Sequence, residues 1–437
     1  MESIWTKTVE MPEFPTLDKD IRTNVLIIGG GMTGVLCAYF LQQAGIDYCL
    51  LEANKICGGI TANTTAKITA QQGLIYEKLL GKLGQERAAL FLKANETAVK
   101  KYKDLGWFVD CDMQEMDSYI YSVHEPRKLE METQALASLG ADVDFVEKTA
   151  LPFEIKGAVR FRNQAQFHPL KFAAGIAKNL KIYEHSEVRE MTEYFALTKE
   201  GSVSADKVII ATHFPFIDSR GMYFLKLYQS RSYLMALEHA PDLGGMYLEA
   251  EKNGMSFRNY KDYLLVGGGG HRTGKNMCGM EILHENVQQI FPNAKEVCTW
   301  AAQDCMSLDG MPYIGNYSKN TQDLYAATGY NKWGMTGSML AAMVLSDLVM
   351  GKENEFSHLF SPSRNMIHTQ LFINLWEAVK GIAVPKTSQR CSHMGCVLRW
   401  NREEKVWECP CHGSRFDKDG AILDNPATNK LKGKNQE

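Results

Sequence analysis

"NVLIIGGGMTGVLCAYFLQQAGIDYCLLEA", residues 24–53, decides the fold. Asn24–Ile28 is a short apolar run stopped by glycines, the pattern of a buried parallel strand. The run from Val35 has helical spacing and stops at Gly45. Tyr48–Ala53 reads as a second strand, giving a strand–helix–strand opening. Gly29, Gly31 and Gly34 fit G-x-G-x-x-G, and Glu52 follows Gly34 by 18 residues, near the spacing of a ribose-binding carboxylate. Missing side chains let the backbone approach a pyrophosphate, and a helix N-terminus offers free N–H groups and partial positive charge. The loop alone does not separate FAD from NAD.

Working outward, residues 77–104 look helical, and 145–215 mixes short strands with a helix from Pro169. "KVIIATHFPF" (207–216) reads as a buried strand running into a turn. Between 222 and 300, "MYFLKLYQ", "SYLMALE", "GMSFRNY" and "YLLVGGGG" read as strands of a mostly antiparallel sheet. "DLYAATGYNKWGMTGSMLAAMVLSDLVMG" (323–351) returns to strand, glycine turn and helix. The nucleotide region is therefore expected to be discontinuous. It takes about 20–75, 145–215 and 300–350, with a substrate region at about 76–144 and 216–299. A helix and linker follow at 366–388, and a compact tail at 389–437. The second glycine turn places a helix start where it could stabilise negative charge on a reduced flavin.

The 437 residues are 45% apolar and 23% charged, with net charge -3, so a nucleic-acid surface or polybasic anchor is not expected. The N-terminus lacks a basic region followed by an apolar stretch. No run approaches the roughly 18 apolar residues of a spanning helix. "MLAAMVLSDLVM" (339–350) is broken by Ser346 and Asp347. A cytoplasmic protein with no membrane partner is expected; oligomeric state is not legible. Seven of the eleven cysteines, Cys37 to Cys305, are scattered and read as reduced and structural.

The other four lie in "CSHMGC" (391–396) and "CPCHGSRF" (409–416). Cys391-x-His393 and Cys409-x-x-His412 suit tetrahedral zinc or a [2Fe–2S] centre with two imidazoles on one iron. The bare ligand set leaves both open. Cys396 and Cys411 are an extra pair that a zinc knuckle does not need. Backbone N–H groups after His412 and the Ser414 hydroxyl could bond to sulfur, which tunes a cluster's potential.

From about 20 to 350 the chain resembles FAD-dependent oxidoreductases of the D-amino-acid-oxidase type, which include glycine and sarcosine oxidases. The resemblance rests on "IIGGGMTG…LLEA", "FHPLKFAAGIA", "VIIAT", "DGMPYIG" and "ATGYNKWGMTGS". It implies that Gly29, Gly31, Gly34 and Glu52 hold the ADP half of FAD, and that Val188 meets the adenine through its backbone. Gly334, Met335 and Thr336 would lie beside the isoalloxazine. Cys305 precedes Asp309 by four residues where a flavin-linking cysteine of that family would need seven, so FAD is expected to be non-covalent.

The tail resembles a Rieske domain. That implies Cys391 and Cys409 on one iron, His393 and His412 on the other, and a Cys396–Cys411 disulfide. The whole is then α/β: a Rossmann-like FAD-binding domain, an inserted mostly antiparallel substrate domain, and a small all-β Rieske-type C-terminal domain. The tail is short. A helix and "PKTSQR" (385–390) replace the strands that usually precede the first ligand loop, so the cluster loops must lean on the flavin region or a second subunit. Phe416 stands where high-potential members carry a tyrosine hydroxyl, which implies a potential in the lower part of the Rieske range.

Catalytic candidates are Lys332, Arg272 and Arg231. The arginines, with Arg258, could clamp a substrate carboxylate. Lys332 and Lys67 fall on loops expected beside the flavin, His271 could serve as a base, and Trp333 is expected to pack under the ring. The expected activity is electron passage between a small substrate, an amine or amino acid, and a protein donor or acceptor through FAD and the cluster, with the cluster histidines near the surface. The competing readings are an electron-transfer module without its own small substrate, and a zinc-stabilised flavoprotein.

Overall fold

The computed structural model describes residues 2–217, 220–251, 254–275, 278–383 and 388–431. Residues 384–387 of the linker and 432–437 of the tail, both covered by the expectations above, lie outside the described residues.

The opening folds as its pattern dictates. Strand Ile21–Ile28, helix Met32–Gln43 and strand Tyr48–Leu51 start an eight-stranded sheet. Its path runs Tyr313–Asn316, Leu324–Thr328, Ser202–Ile210, Ile21–Ile28, Tyr48–Leu51, Ile182–Tyr183. All neighbours on that path are parallel except the first pair. The strands carry continuous apolar runs because helices cover them, with Met32–Gln43 and Gly334–Val349 packed together on one face.

A nine-stranded sheet stands beside it, ordered Lys295–Met306, Tyr228–Glu238, Tyr263–Arg272, Ser256–Tyr260, Met246–Glu249, Gln114–Ser122, Gly157–Gln166, Lys67–Ile68, with Val143–Val146 on Gly157–Gln166. Its pairs are antiparallel except Met246–Glu249 with Gln114–Ser122. Several residues expected in the flavin region belong here: 145–146 of Val143–Val146, Gly157–Gln166, and 300–306 of Lys295–Met306. They alternate polar and apolar residues, which suits a sheet with two unlike faces. Helix Gln85–Gly106, expected with the substrate region, packs instead on Gly334–Val349. "MYFLKLYQ" is not a single strand, because Tyr223–Lys226 makes one helical turn and the strand starts at Tyr228.

The tail forms a four-stranded antiparallel sheet, Arg399–Asn401, Val406–Glu408, Arg415–Phe416 and Ile422–Asp424. It has its own small core, with Phe416 buried among the four tail cysteines. It docks on the nine-stranded sheet through a buried ion cluster. Arg231 pairs with Glu404, Tyr233 donates its hydroxyl to Glu404 at 3.0 Å, and Arg415 reaches Glu404 at 2.5 Å and Asp424 at 2.8 Å.

Burial alone would raise the Glu404 carboxyl, but Arg231 and Arg415 outweigh it and hold the pKa below the usual range. A carboxylate with a depressed folded pKa stabilises the protein above its unfolded value of about 4.3, and that stability is lost as pH falls through the folded value. Removing one partner from a buried pair costs roughly 3–5 kcal/mol. In urea unfolding followed by Trp400 and Trp407 fluorescence, Glu404→Ala is therefore expected to move unfolding of the tail to clearly lower urea. Acidifying the wild type below pH ~4 should do the same.

Candidate redox site

The glycines of the first turn serve different ends. Gly29 has φ +106°, and a Cβ there would stand 2.6 Å from the Ala211 carbonyl oxygen. At Gly34 a Cβ would overlap the Gly29 carbonyl. Both are required by backbone packing. At Gly31 the nearest atom to an added Cβ is Thr61 Oγ1 at 3.7 Å, so its missing side chain leaves an open approach. Gly31 caps the helix without a side-chain bond, and the first turn holds no acid. Met32 N–H donates to Thr61 Oγ1 at 3.0 Å, and with no acid in the first turn the positive helix end fits a pyrophosphate. Glu52 accepts from Gly30 N–H at 2.7 Å and Asn54 N–H at 2.9 Å. Burial pushes its carboxyl up, while those N–H groups oppose the shift. Val188 is half-buried just beyond Ser186, whose N–H donates to the Glu52 carbonyl at 2.8 Å.

A second helix start converges here. Tyr330 Oη lies 2.8 Å from Thr33 Oγ1, which in turn bonds Ser338 Oγ at 2.9 Å, joining the first turns of Met32–Gln43 and Gly334–Val349. Thr336 Oγ1 donates to Thr69 O at 2.9 Å and accepts from Thr69 N–H at 3.1 Å. Gly334 opens the helix, and Met335 is buried beside it. The preceding turn is strained: Asn331 and Lys332 have φ +53° and +72°. Asn331 fixes it, donating its N–H to Cys305 O at 3.0 Å and accepting from Ser307 N–H at 2.9 Å. The turn aims Lys332 Nζ at Ser232 Oγ, 3.0 Å away. Lys332 is reached by solvent, yet the protein packed around it depresses its ammonium, with Asp304 opposing. Burial likewise raises Asp304, which Lys332 and His213 oppose. Cys305 is a buried thiol pushed far above its usual range by burial, hence unreactive.

The tail loops bring the four proposed ligands together. The His393 and His412 rings are 4.9 Å apart and nearly perpendicular. Cys391 and Cys409 are buried neighbours; the adjacent Cys409 thiol and burial push the Cys391 thiol well above its usual range, with the Ser414 hydroxyl opposing. Burial, reinforced by His393, pushes His412 down to about 3, so its imidazole is neutral, and its Nδ1 makes no hydrogen bond. Two cysteines and two imidazoles in adjacent pairs fit an iron pair with unlike ligands. Cys396 and Cys411 lie side by side with Cys409 as free thiols, so the disulfide implied by resemblance is not formed in this structure.

Of the two cluster histidines expected near the surface, His393 is half-buried and His412 is buried. His412 is buried against Phe214 and Phe224, at 6.5 and 6.3 Å between ring centroids, and His393 also faces Phe214 at 6.4 Å. The flavin region grips this loop. Arg272 donates to Pro410 O (3.1 Å) and Cys411 O (2.9 Å), Gln229 to His412 O (3.0 Å), and Gln303 to Gly413 O (2.9 Å). Asn425 returns two bonds to Thr212 O and Phe214 O at 2.8 and 2.9 Å.

The arginine candidates are accordingly placed away from any open substrate pocket. Arg231 and Arg272 hold the Rieske unit. Arg258 is buried, with Nη1 on Thr65 O, Ala66 O and Phe167 O and its guanidinium beside the Trp5 and Tyr260 rings. Burial lowers it to about 9. His271 stacks on Tyr233. Lys67 bonds Tyr247 O and Ser256 Oγ, both at 2.6 Å, and burial lowers its amine to about 7. Sequence reasoning missed Gln229, Gln303, Asp304, Tyr330 and Asn331; no motif marks them, since their roles arise from pairing between distant segments.

Gly31 separates ligand binding from folding. Gly31→Ala is expected to leave the thermal unfolding midpoint close to wild type while lowering bound FAD, read as flavin absorbance per chain, at least about tenfold. Gly34→Ala should lose both.

The sequence profile of the FAD dependent oxidoreductase family matches residues 24–348, and that of the Rieske [2Fe-2S] domain matches 357–434. Protein YhfW of Bacillus subtilis (strain 168), named for a Rieske 2Fe-2S centre, is 32% identical over 99% of this chain and 97% of its own length. Gamma-glutamylputrescine oxidoreductase of Escherichia coli (strain K12) is 24% identical over 79% of this chain and 87% of its own. A glycine oxidase structure from Geobacillus kaustophilus shares the fold with TM-score 0.66 at 19% identity, covering 79% of this chain and 99% of that one. With about three quarters of its length on that profile and the cradle built to match, the chain belongs to the FAD dependent oxidoreductase family and carries a C-terminal Rieske [2Fe-2S] domain.

Proposed function

We propose that this cytoplasmic oxidoreductase exchanges electrons between a small substrate and a protein donor or acceptor, with the flavin and the cluster in series inside one chain. A bound flavin handles electrons as a pair and a Rieske cluster handles them singly, so the union splits a two-electron reaction into single steps. One observation carries this reading: both sites rest on the same pair of strands. Cys305 O receives Asn331 N–H from the flavin-side turn, while Gln229 and Gln303, on the paired strands Tyr228–Glu238 and Lys295–Met306, hold the ligand loop.

The substrate we favour is an amine. The relatives' names support an amine or amino acid, and the engagement of Arg231, Arg258 and Arg272 within the protein argues against an arginine clamp on a carboxylate. The same engagement is what favours the second reading, an electron-transfer module with no small substrate. Lys332, with its depressed ammonium beside Asp304, is the residue we assign to proton exchange at the flavin edge.

Anaerobic stopped-flow mixing with a panel of amines tests the relay. Flavin bleaching should be followed by the reduced-cluster EPR signal within one turnover. Full reduction and reoxidation of flavin with no change at the cluster would refute it, and bleaching by no amine would favour the module. The potential is expected in the lower part of the range of about -150 to +300 mV, because buried Phe416 offers no hydroxyl to the cysteine sulfurs around it. Phe416→Tyr should raise it by on the order of tens of mV in a redox titration.

A further inference from the structure

The helix Thr369–Ile382 is built inside out. Gln370, Asn374, Glu377 and Gly381 recur at helical spacing and form its inward face. Asn374 Oδ1 accepts from Arg272 at 3.0 Å and from Gln370 at 2.9 Å, and its amide donates to Leu225 O at 3.1 Å. Glu377 pairs with Lys275. Gly381 admits the second cysteine pair, since a Cβ there would stand 2.7 Å from Cys411 Sγ. The outward face is Phe372, Leu375, Trp376, Val379 and Ile382, with Phe372, Trp376 and Val379 62%, 58% and 56% exposed. Ile367 and Met394 are also exposed, just before the helix and on the first ligand loop. A surface helix ordinarily does the reverse. Nothing among the described residues covers this face.

We propose that this face seats on an anionic lipid bilayer. Its charges point that way. Arg364 is tied to Asp309 and Glu377 to Lys275, so the helix presents no exposed carboxylate. Its exposed charge is Lys380, whose ammonium lies 5.0 Å from the Trp376 ring. An apolar ridge with an aromatic residue and a cation, and no acid, is the composition of a helix lying in the membrane interface. Fourteen residues cannot cross a bilayer, which takes about 20, and no helix of the described residues is long and apolar enough to do so. A second copy fits less well, since an isologous contact on this ridge would bring the Lys380 ammonium of each copy into one interface with no free carboxylate on the helix to answer it. The helix backs onto Cys396 and Cys411, so a bilayer there lies about one helix diameter, ~10 Å, from the ligand loops. Seating itself is independent of the proposed relay; only its use for electron delivery rests on it.

Full-length protein loaded with flavin and cluster is sedimented with vesicles of equal parts phosphatidylglycerol and phosphatidylcholine, and with phosphatidylcholine alone. Co-sedimentation with the anionic vesicles and a blue shift of tryptophan emission are expected, with weaker binding to the neutral ones. The double variant Phe372→Ser, Trp376→Ser should reduce the bound fraction at least about tenfold, with flavin and iron contents unchanged. Lys380→Glu should weaken binding to anionic vesicles alone. Failure to sediment with either vesicle overturns the proposal. So does a dimer in light scattering that dissociates in the double variant, which assigns the face to a second copy. Neither failure touches the stopped-flow test of the relay.

Discussion

Four successive carbonyls, Pro410 to Gly413, are each taken by a side chain of the nine-stranded sheet: two by Arg272, one by Gln229 and one by Gln303. The short tail depends on this grip. A loop that must present a cysteine and a histidine at fixed positions needs its backbone held, and a buried carbonyl left unpaired would cost about as much as a lost hydrogen bond. The tail's own sheet starts only after the first ligand loop, so it cannot hold both loops from below. The flavin region supplies the base. Gly413, with φ +86°, has no Cβ where one would stand 2.5 Å from the Gln229 side chain, so the strand and the loop are fitted to each other. Gln229 and Gln303 are also bonded together at 2.6 Å, and Thr273 donates to Gln303 at 3.0 Å, leaving the two amides one orientation.

This docking reassigns residues that sequence alone places at chemistry. Arginines in a substrate sheet suggest a carboxylate clamp because a guanidinium pairs with carboxylates in two-point fashion. Arg231 does so here, but its carboxylate is Glu404 of the tail. Burying such a pair is worthwhile only when the partners are fully satisfied, and Arg415, Tyr233 and Asp424 complete the set. The burial of His412 follows from the same contact, since the loop that carries it is the loop being held.

How much of this was legible divides by range along the chain. The dinucleotide turn was readable because its glycines, helix start and Glu52 lie within 24 residues of one another, from Gly29 to Glu52, and each follows from local backbone geometry. The ligand set was readable for the same reason. Sheet membership was less so. Val143–Val146 and Lys295–Met306 are strands by pattern, but which sheet takes them is settled by pairing: Val143–Val146 joins Gly157–Gln166, itself paired with Gln114–Ser122, and Lys295–Met306 joins Tyr228–Glu238, about sixty to eighty residues earlier. Asn331 and Lys332 gave no sign of left-handed backbone, because only the bonds to Cys305 and Ser307 enforce it. The outer helix showed apolar residues at helical spacing, and the ordinary inference turns such a face inward. Arg272, Lys275 and the cysteine pair claimed the polar face first.

A redox unit held this way has no reason to swing. Each neutral hydrogen bond across the contact is worth about 1 kcal/mol net and each charge-assisted one about 1.5–3. Undocking would break those of Arg272, Gln229, Gln303 and Asn425 together. It would also leave Arg231 and Glu404 to be solvated separately, which buried partners resist most. A Rieske unit that shuttled between sites would need a contact weak enough to leave on the timescale of turnover. This one binds by its ligand loop, so leaving would also release the backbone that positions the ligands. In the proposed relay, electron exchange with the flavin region therefore proceeds in the docked arrangement, and the other partner is met by surface that this docking leaves exposed.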